Sequence, residues 1–166
     1  MRAWVGENAI TLGEIAVSEK SNEITAIPEL LDMIDIEGDI ITINAMGCQT
    51  AIAAKIIERK ADYVLALKGN QQNLCEAVSD YFDWIEREKP SEKSLKYSIV
   101  VLKKDMSALK REIICASADW LPQKEAWDGL CTIVRCKSTR IIGDTETVAT
   151  RYYISSLTGA QRILVK

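Results

Sequence analysis

Apolar residues recur along the first part of the chain in patterns typical of a hairpin followed by a helix. Residues 2–18 contain two short runs rich in Val, Ile and Trp around a Gly-Glu-Asn turn, which predicts an antiparallel hairpin. Helical spacing over residues 21–35 predicts one helix, with Ser21 or Thr25 as its cap and Pro28 tolerated only in its first turn. Its inward stripe is expected to hold Ala26, Ile27, Leu30, Leu31 and Ile34.

A strand, a helix and a second strand come next and predict a parallel unit. Residues 39–43 and 62–67 are continuous apolar runs of strand length, and residues 48–60 between them have helical spacing. A right-handed crossover would place the carboxyl ends of both strands at one edge of the sheet. Asn44 and Lys68 are therefore expected to lie side by side. The inward residues of the helix are expected to be Ile52, Ile56 and Ile57.

The second half of the chain is predicted to be mainly β. Residues 69–86 first predict one more helix, with Asn70 as its cap. The inward positions of this helix are Leu74, Val78, Tyr81 and Ile85. Residues 89–93, Lys-Pro-Ser-Glu-Lys, break the pattern and predict a boundary between two units. Strand-like runs follow, with a short helix or turn at residues 120–127.

Composition limits the kinds of partner that the chain can have. It has 166 residues, of which 48% are hydrophobic, and can therefore form a substantial core. Its formal net charge is −3 and its sequence pI is about 5.2, so it lacks the broad positive field of non-specific nucleic-acid binders. Any contact with DNA is expected to be local or to be made by parts outside these residues.

Cysteine and histidine content narrows the possible chemistry. The five cysteines form no Cys-x-x-Cys pair, which favours free thiols in a reducing compartment. Cys131 and Cys136 could supply two zinc ligands, but without histidine or a second close pair we expect no zinc site. The lack of histidine also excludes Ser-His and Cys-His catalysis. No long apolar run or signal-peptide core occurs, which predicts a soluble, cytoplasmic protein.

Four motifs carry a resemblance to a known family: EKSNEITAIPELLD, ITINAMGCQ, DYVLALKGNQ and RYYISSL. With the order hairpin, helix, strand, helix, strand, helix, they resemble the DDE-type transposases of bacterial insertion sequences, specifically the H-repeat-associated group. The resemblance spans essentially the whole chain. It implies an α/β fold in which residues 1–90 form a partial ribonuclease-H-like core without its first strand. Residues 91–166 would then form a β-rich insertion subdomain.

The resemblance implies metal-dependent DNA strand transfer as the ancestral function. Intact relatives would hold two Mg²⁺ ions with two aspartates and one glutamate, since hard cations need anionic oxygens. The first aspartate belongs to a strand before residue 1, and the glutamate belongs to a helix after RYYISSL. Asn44 stands at the place of the second aspartate, and a neutral amide is a poor Mg²⁺ ligand. We therefore expect a truncated, inactive chain with no metal cofactor of its own.

Asn44 and Lys68 are the candidate site residues, and each has an alternative interpretation. Asn44 is interpreted as the degenerate catalytic position, and otherwise as a polar residue that ends a strand and begins a turn. Lys68 is a candidate DNA-phosphate contact, and otherwise an exposed lysine before a helix cap. Residues 105–109 stand where relatives carry a basic His-Gly-Arg element, so DNA binding is expected to be weak or absent.

For three further patterns we favour a structural interpretation. An acidic cluster after the first predicted helix is expected to be a solvated helix end and loop rather than a replacement metal site. Its members are Asp32, Asp35, Glu37 and Asp39. Ser107 and Lys110 match the S-x-x-K pattern of acyl-transfer enzymes without its companion motifs. Trp120 and Trp127 are expected to pack in the β-rich half, although an exposed pair could stack on bases.

Two other functions remain open at this stage. The chain could be a non-catalytic binding or oligomerisation module retained from a transposase, because a missing first strand would leave a sheet edge unpaired. It could also be a fragment of a longer transposase, whose neighbouring segments would restore two of the three carboxylates and leave only Asn44 unexplained. In either case, no membrane association is expected.

Overall fold

The computed structural model describes residues 2–5, 10–14, 22–88, 94–102, 108–142 and 145–158, with side chains described for residues 24–88, 110–142 and 145–158. The helices are α1 (Asn22–Met33), α2 (Thr50–Glu58) and α3 (Gln72–Glu88). The strands are β1 (Arg2–Val5), β2 (Ile10–Glu14), β3 (Ile40–Ile43), β4 (Asp62–Leu67), β5 (Ser94–Leu102), β6 (Ala108–Ser117), β7 (Thr132–Ile142) and β8 (Thr145–Ser155). Short 3₁₀ turns lie at Ala45–Gly47, Gly69–Gln71 and Lys124–Ala126.

The strands form a hairpin and one larger sheet. β1 and β2 pair antiparallel, as predicted for the start of the chain. The larger sheet has the order β3-β4-β8-β7-β6-β5, with β3 and β4 parallel and all other pairs antiparallel. The predicted mixed α/β fold is confirmed. Because β8 pairs with β4, strands from the second half of the chain continue the sheet of the first half.

Helices α1, α2 and α3 contribute to one hydrophobic cluster against the sheet. On β4 the side chains alternate between half-buried and buried, so that Tyr63, Leu65 and Leu67 face this cluster. Buried residues from α2 and α3 complete it, including Ile52, Ile56, Val78 and Phe82. The period-2 pattern of the strand and the 3.6-residue period of the helices thus meet in one core.

Hydroxyl groups fasten β8 to β4 where the two halves of the chain meet. Ser155 Oγ donates to the Tyr63 carbonyl at 2.7 Å, and the Tyr63 N–H donates to Ser156 Oγ at 2.9 Å. Ser156 Oγ in turn donates to Asp62 Oδ1 at 2.8 Å. Ser155 and Ser156 are buried, and these bonds satisfy polar groups that would otherwise destabilise the seam.

Several details of the helices differ from the sequence expectations. Thr25, one of the two predicted caps, lies inside α1 and does not cap it. Pro28 lies in the interior of α1, not in its first turn, because the helix already begins at Asn22. Since proline has no N–H, it cannot donate the helical bond to the carbonyl of Ile24, an exposed residue. On α3 the fully buried aromatic residue is Phe82, whereas Tyr81 is only half-buried.

Other expectations fall outside the described residues. They include the cap Ser21, the predicted boundary at residues 89–93, and residues 105–107. The short helix predicted within residues 120–127 is confirmed as the 3₁₀ turn at Lys124–Ala126.

Candidate active-site crevice

The carboxyl ends of β3 and β4 lie at one edge of the larger sheet, as expected from the sequence, and we call this edge the crevice. The two strands pair in parallel, with Ile43 opposite Leu65. Asn44 directly follows β3 and Lys68 directly follows β4, so both residues lie at the carboxyl edge of this parallel pair. In α/β sheets that edge is the usual place for binding and catalytic groups.

Asn44 caps the 3₁₀ turn that follows β3. Its Oδ1 accepts hydrogen bonds from the N–H of Met46 at 3.1 Å and from the N–H of Gly47 at 3.4 Å. Asparagine suits this position because its side-chain oxygen can satisfy backbone donors at the start of a turn. The turn-forming interpretation of Asn44 therefore describes its contacts in this structure, and its carbonyl oxygen is already engaged by two donors.

Three amide side chains tie the loop after β3 to the loop after β4. Asn70 Nδ2 donates to the Ala45 carbonyl, and Gln71 Nε2 donates to the Cys48 carbonyl at 3.0 Å. Gln49 Oε1 lies 3.5 Å from the same Gln71 nitrogen. The prediction that Asn70 caps the next helix is wrong, because α3 begins at Gln72 and the Asn70 amide bonds across to the other loop. Sequence reasoning did not anticipate these ties, since local propensity does not indicate a partner more than 20 residues away.

Gly47 allows the loop after β3 to pack against the core. A Cβ atom added at this position would lie 2.7 Å from Ile27 Cδ1 and closer still to Ile43 Cγ2. A larger residue would therefore require Ile27, Ile43 or the loop itself to shift. The loop that carries Asn44 is thus held from both sides, by Gly47 against the core and by Asn70 against the neighbouring loop.

The acidic cluster lies at the opposite end of β3, and two of its members form salt bridges. Asp32 accepts from Lys55 at 2.7 Å and from Arg59 at 3.4 Å, and Glu37 pairs with Lys60 at 3.1 Å. These carboxylates are exposed and salt-bridged, as the solvated interpretation predicts. Across the described ranges, no group of three or more His, Cys, Asp or Glu residues is arranged to hold a metal ion.

Lys68 is the positively charged side chain at the crevice. It is exposed, and within the described part of the chain no ion pair to an acidic residue involves it. Its backbone is extended and its side chain does not cap the following 3₁₀ turn. An unpaired cation at the rim of a neutral, amide-lined crevice is suited to contact an anionic group of a ligand.

The cysteine, tryptophan and serine candidates show no arrangement of a functional site in the described residues. Cys131 and Cys136 are free thiols and belong to no metal-binding group among the described residues. Trp127 is buried in the core, as expected, whereas Trp120 is 39% exposed. Ser107 lies outside the described residues, which leaves the S-x-x-K pattern untested.

A second concavity lies between α3 and the segment after β6. Tyr81 stacks on Trp120 with ring centroids 4.3 Å apart. These rings, together with Trp84, Ser117 and Asp119, line a cavity of about 500 Å³. The Asp119 carboxylate accepts from Ser117 Oγ at 2.7 Å and also from Lys124, which hold the pKa of Asp119 below its ordinary value.

Comparison with known proteins identifies the family. The family model described as Transposase DDE domain matches residues 6–158. The chain belongs to the DDE-type transposase family. Among the relatives of this chain is the "H repeat-associated putative transposase YhhI" of Escherichia coli strain K12, 40% identical over 156 residues. That alignment covers 90% of this chain and 40% of YhhI.

Further relatives support membership in the H-repeat-associated group of DDE-type transposases. YbfD of Escherichia coli strain K12, whose name carries the same H repeat-associated description, is 42% identical over 114 residues, or 69% of this chain and 44% of YbfD. An uncharacterized protein from the dhlA 3′ region of Xanthobacter autotrophicus is 36% identical over 160 residues, or 95% of this chain and 52% of that protein. The chain thus spans about half or less of the length of these relatives.

Among the residues described, no helix has both the length and the apolar character needed to span a bilayer.

Proposed function

We propose that this chain is the central part of a DDE-type transposase whose ancestral function is DNA transposition. We also propose that these 166 residues alone catalyse neither DNA cleavage nor strand transfer. In this proposal residues 1–90 correspond to part of a ribonuclease-H-like core and residues 91–166 to a β-rich insertion. The match to the Transposase DDE domain over residues 6–158 and the parallel pair β3–β4 support the assignment.

The proposed inactivity rests on the missing charge of Asn44 and on the hydrogen bonds that its oxygen already accepts. A two-metal mechanism needs anionic oxygens that neutralise the ions and fix their positions. Asn44 is uncharged, and its oxygen already accepts from Met46 and Gly47. The neighbouring polar groups of the crevice are amides and one lysine, so the donor set does not fit a magnesium pair.

DNA contact at the crevice is proposed to depend on Lys68. Its exposed ammonium group lies on the same edge as Asn44, where a phosphate group could approach without meeting a carboxylate from the loops after β3 and β4. A single lysine contact is sequence-independent and sensitive to salt. This supports weak DNA binding through the crevice at low ionic strength.

A second candidate function is an assembly module, and the position of β3 favours it. β3 is the terminal strand of the larger sheet as far as the chain is described. The Asp62 N–H donates to the Asp39 carbonyl at 2.8 Å, so by alternation the backbone of Thr42 points away from β4 toward the outer edge. Ile40 on the same edge already makes a contact of its own, so an added strand from a second copy or from an intact transposase could pair only beside Thr42.

The test of the proposed function is a cleavage and strand-transfer assay with end-labelled DNA, titrated with Mg²⁺ and Mn²⁺. The wild-type chain and the Asn44→Asp variant are both expected to give no product, since one restored carboxylate does not complete a metal pair. Cleavage by the wild type that disappears in Asn44→Ala would overturn the proposal.

The assembly candidate is tested by measuring the molar mass of the protein in solution by light scattering. A monomer at all concentrations would exclude it.

A further inference from the structure

Strand register places three arginines on one face of the larger sheet. Arg111 of β6 lies opposite Ser138 of β7, which lies opposite Ala149 of β8. Arg140 is two residues after Ser138 on β7, and Arg151 is two residues after Ala149 on β8. Since β7 and β8 are antiparallel, Arg140 and Arg151 lie on opposite sides of the row that holds Arg111. Because side chains alternate along a strand, all of these positions share a face. We call the exposed residues Arg111, Arg140 and Arg151 the arginine face.

Small side chains separate the arginines. Ser138 and Ala149 lie in the same row as Arg111, and Cys136 lies opposite Arg151 in the next row of that face. Cys136 Sγ lies 3.8 Å from Ser138 Oγ, in agreement with a shared face for alternate residues of β7. All three arginines are exposed, and the side chains of Ser138 and Ala149 beside them are small.

The arginine face has no acidic residue within the described side chains of β6, β7 and β8. The carboxylates of these strands, Glu112 and Glu146, lie at alternate positions and belong to the opposite face. That opposite face also carries Lys110 and Lys137, so its charges are mixed. The two faces of the same sheet thus differ in charge, although the whole chain has a net charge of −3.

The spacing of the arginines suits a polyanion with regularly placed charges. Arg111 and Arg140 are diagonal neighbours on adjacent strands, which places their Cβ atoms about 7–8 Å apart. Arg151 lies two strands from Arg111 and two rows along, a separation of about 12 Å from the spacing between strands and the rise per residue. Such spans are comparable with the width of the major groove of DNA, about 12 Å between its phosphate walls.

We propose that the arginine face binds the phosphate backbone of duplex DNA, independently of base sequence. This inference rests on the proposed transposase origin and adds a DNA-binding surface on β6–β8, separate from the crevice at Asn44 and Lys68. Guanidinium groups bind phosphate oxygens in a bidentate manner, which favours arginine over lysine at such a surface. The negative charge of the chain as a whole then limits the affinity without preventing this local contact.

The experiment compares DNA affinity across salt concentrations for three proteins: the wild type, the R111Q/R140Q/R151Q variant and the control K110Q/K137Q. A fluorescent DNA duplex of about two helical turns is the probe, and fluorescence anisotropy gives the dissociation constant. Removing three phosphate contacts is expected to reduce the slope of log affinity against log salt by about 2 to 3 and to weaken binding at least about tenfold at low salt. The control is expected to bind like the wild type.

A variant that retains charge separates binding from folding. R111K/R140K/R151K keeps three cations on the same strands and is expected to recover most of the lost affinity, with weaker binding than wild type because bidentate contacts are gone. Circular dichroism melting of each variant checks the fold. If the arginine-to-glutamine variant loses stability, the comparison of the lysine variant with wild type still tests the role of guanidinium groups.

The outcomes distinguish this inference from the proposed function. DNA binding that is lost only in the arginine variant supports the arginine face. Binding that persists in that variant, or that falls equally in K110Q/K137Q, overturns the arginine face and leaves the transposase origin intact. No binding by the wild type, even at low salt, overturns both this inference and DNA contact at Lys68. Equally tight, arginine-dependent binding to phosphatidylserine vesicles would also contradict a DNA-directed surface.

Discussion

Asn44 accepts a hydrogen bond from the backbone N–H of Met46 at 3.1 Å, and this local bond defines how the chain leaves β3. The domain match shows the family membership of the chain, and in the proposed assignment Asn44 stands at the position of the second DDE aspartate. An aspartate could make the same cap, because carboxylate and amide oxygens both accept from backbone donors. Under that proposal, an asparagine at this position keeps the turn and lacks the negative charge of an aspartate.

Replacement of Asn44 is expected to separate its structural role from its charge. Asn44→Ala removes the cap and should lower the free energy of unfolding by about 1 kcal/mol. Asn44→Asp keeps the acceptor and should remain within about 0.5 kcal/mol of the wild type. Urea denaturation followed by circular dichroism measures both. Equal stability of Asn44→Ala and wild type would show that the two hydrogen bonds contribute nothing.

Gly47 is expected to tolerate no side chain. Gly47→Ala would bring a Cβ atom to 2.7 Å from Ile27 Cδ1 and into Ile43, so the free energy of unfolding should fall by about 1–3 kcal/mol. Gly69 provides the matched control in the neighbouring loop, because nothing lies within 4 Å of a Cβ added there. Gly69→Ala should change stability by less than about 0.5 kcal/mol. Similar losses in both variants would contradict the packing account.

Arg135 is expected to join β7 to α3 mainly through Glu86. Its side chain is only 5% exposed and lies 3.0 Å from Glu86, whereas Asp83 is 3.8 Å away. Its guanidinium carbon also lies 5.5 Å from the centre of the Phe82 ring. Glu86→Gln should cost about 1 kcal/mol of stability and Asp83→Asn about half of that or less, since both carboxylates are partly exposed to solvent. The reverse order in thermal or urea unfolding would refute this assignment.

Buried thiols are expected to lower the stability of the protein at alkaline pH. Burial, with a smaller contribution from Cys75, raises the pKa of Cys48 from 9.0 to about 12, and burial raises the pKa of Cys115 to about 11. Above about pH 9 the unfolded chain therefore loses thiol protons that the folded chain retains. The unfolded state then binds fewer protons, so the free energy of unfolding should fall as pH rises from about 9 toward 11.

Urea midpoints measured between about pH 7 and pH 10.5 test this dependence. The midpoint should be steady below about pH 8 and decline above about pH 9, with a shallower decline in Cys115→Ala. Alkylation of Cys48 and Cys115 by iodoacetamide should be slow in the native protein, because the thiolate is the reactive form. A midpoint that stays constant throughout the range would contradict the effect of burial on these thiols.

Much of the fold could be predicted from the sequence because local patterns and global packing agree. The continuous apolar runs that form β3 and β4 favoured parallel strands with a helix between them, and this arrangement is confirmed. Pro28 shows where local rules failed, because α1 continues across a residue that cannot donate its helical hydrogen bond. There the packing of residues such as Ile27 and Leu31 outweighs one lost bond.

The contacts at the crevice and the arginine face could not be predicted in the same way. Asn70 reads as a helix cap from local propensity, yet its partner is the carbonyl of Ala45 on another loop. Arg111 and Arg140 share a face only because Arg111 lies opposite Ser138. The sequence of β6 or of β7 alone does not determine this register. Both features depend on long-range pairing, which the amino-acid pattern of one element does not specify.

Direct measurement of Mn²⁺ binding tests the central claim that the strand-end crevice cannot hold a catalytic metal pair. Electron paramagnetic resonance of Mn²⁺, titrated with wild-type protein and with Asn44→Ala, reports free and bound ion separately. Both proteins are expected to show the same weak, non-saturating binding, because Asn44 offers no charge and its oxygen already accepts from the backbone. Saturable binding by the wild type that is lost in Asn44→Ala would contradict it.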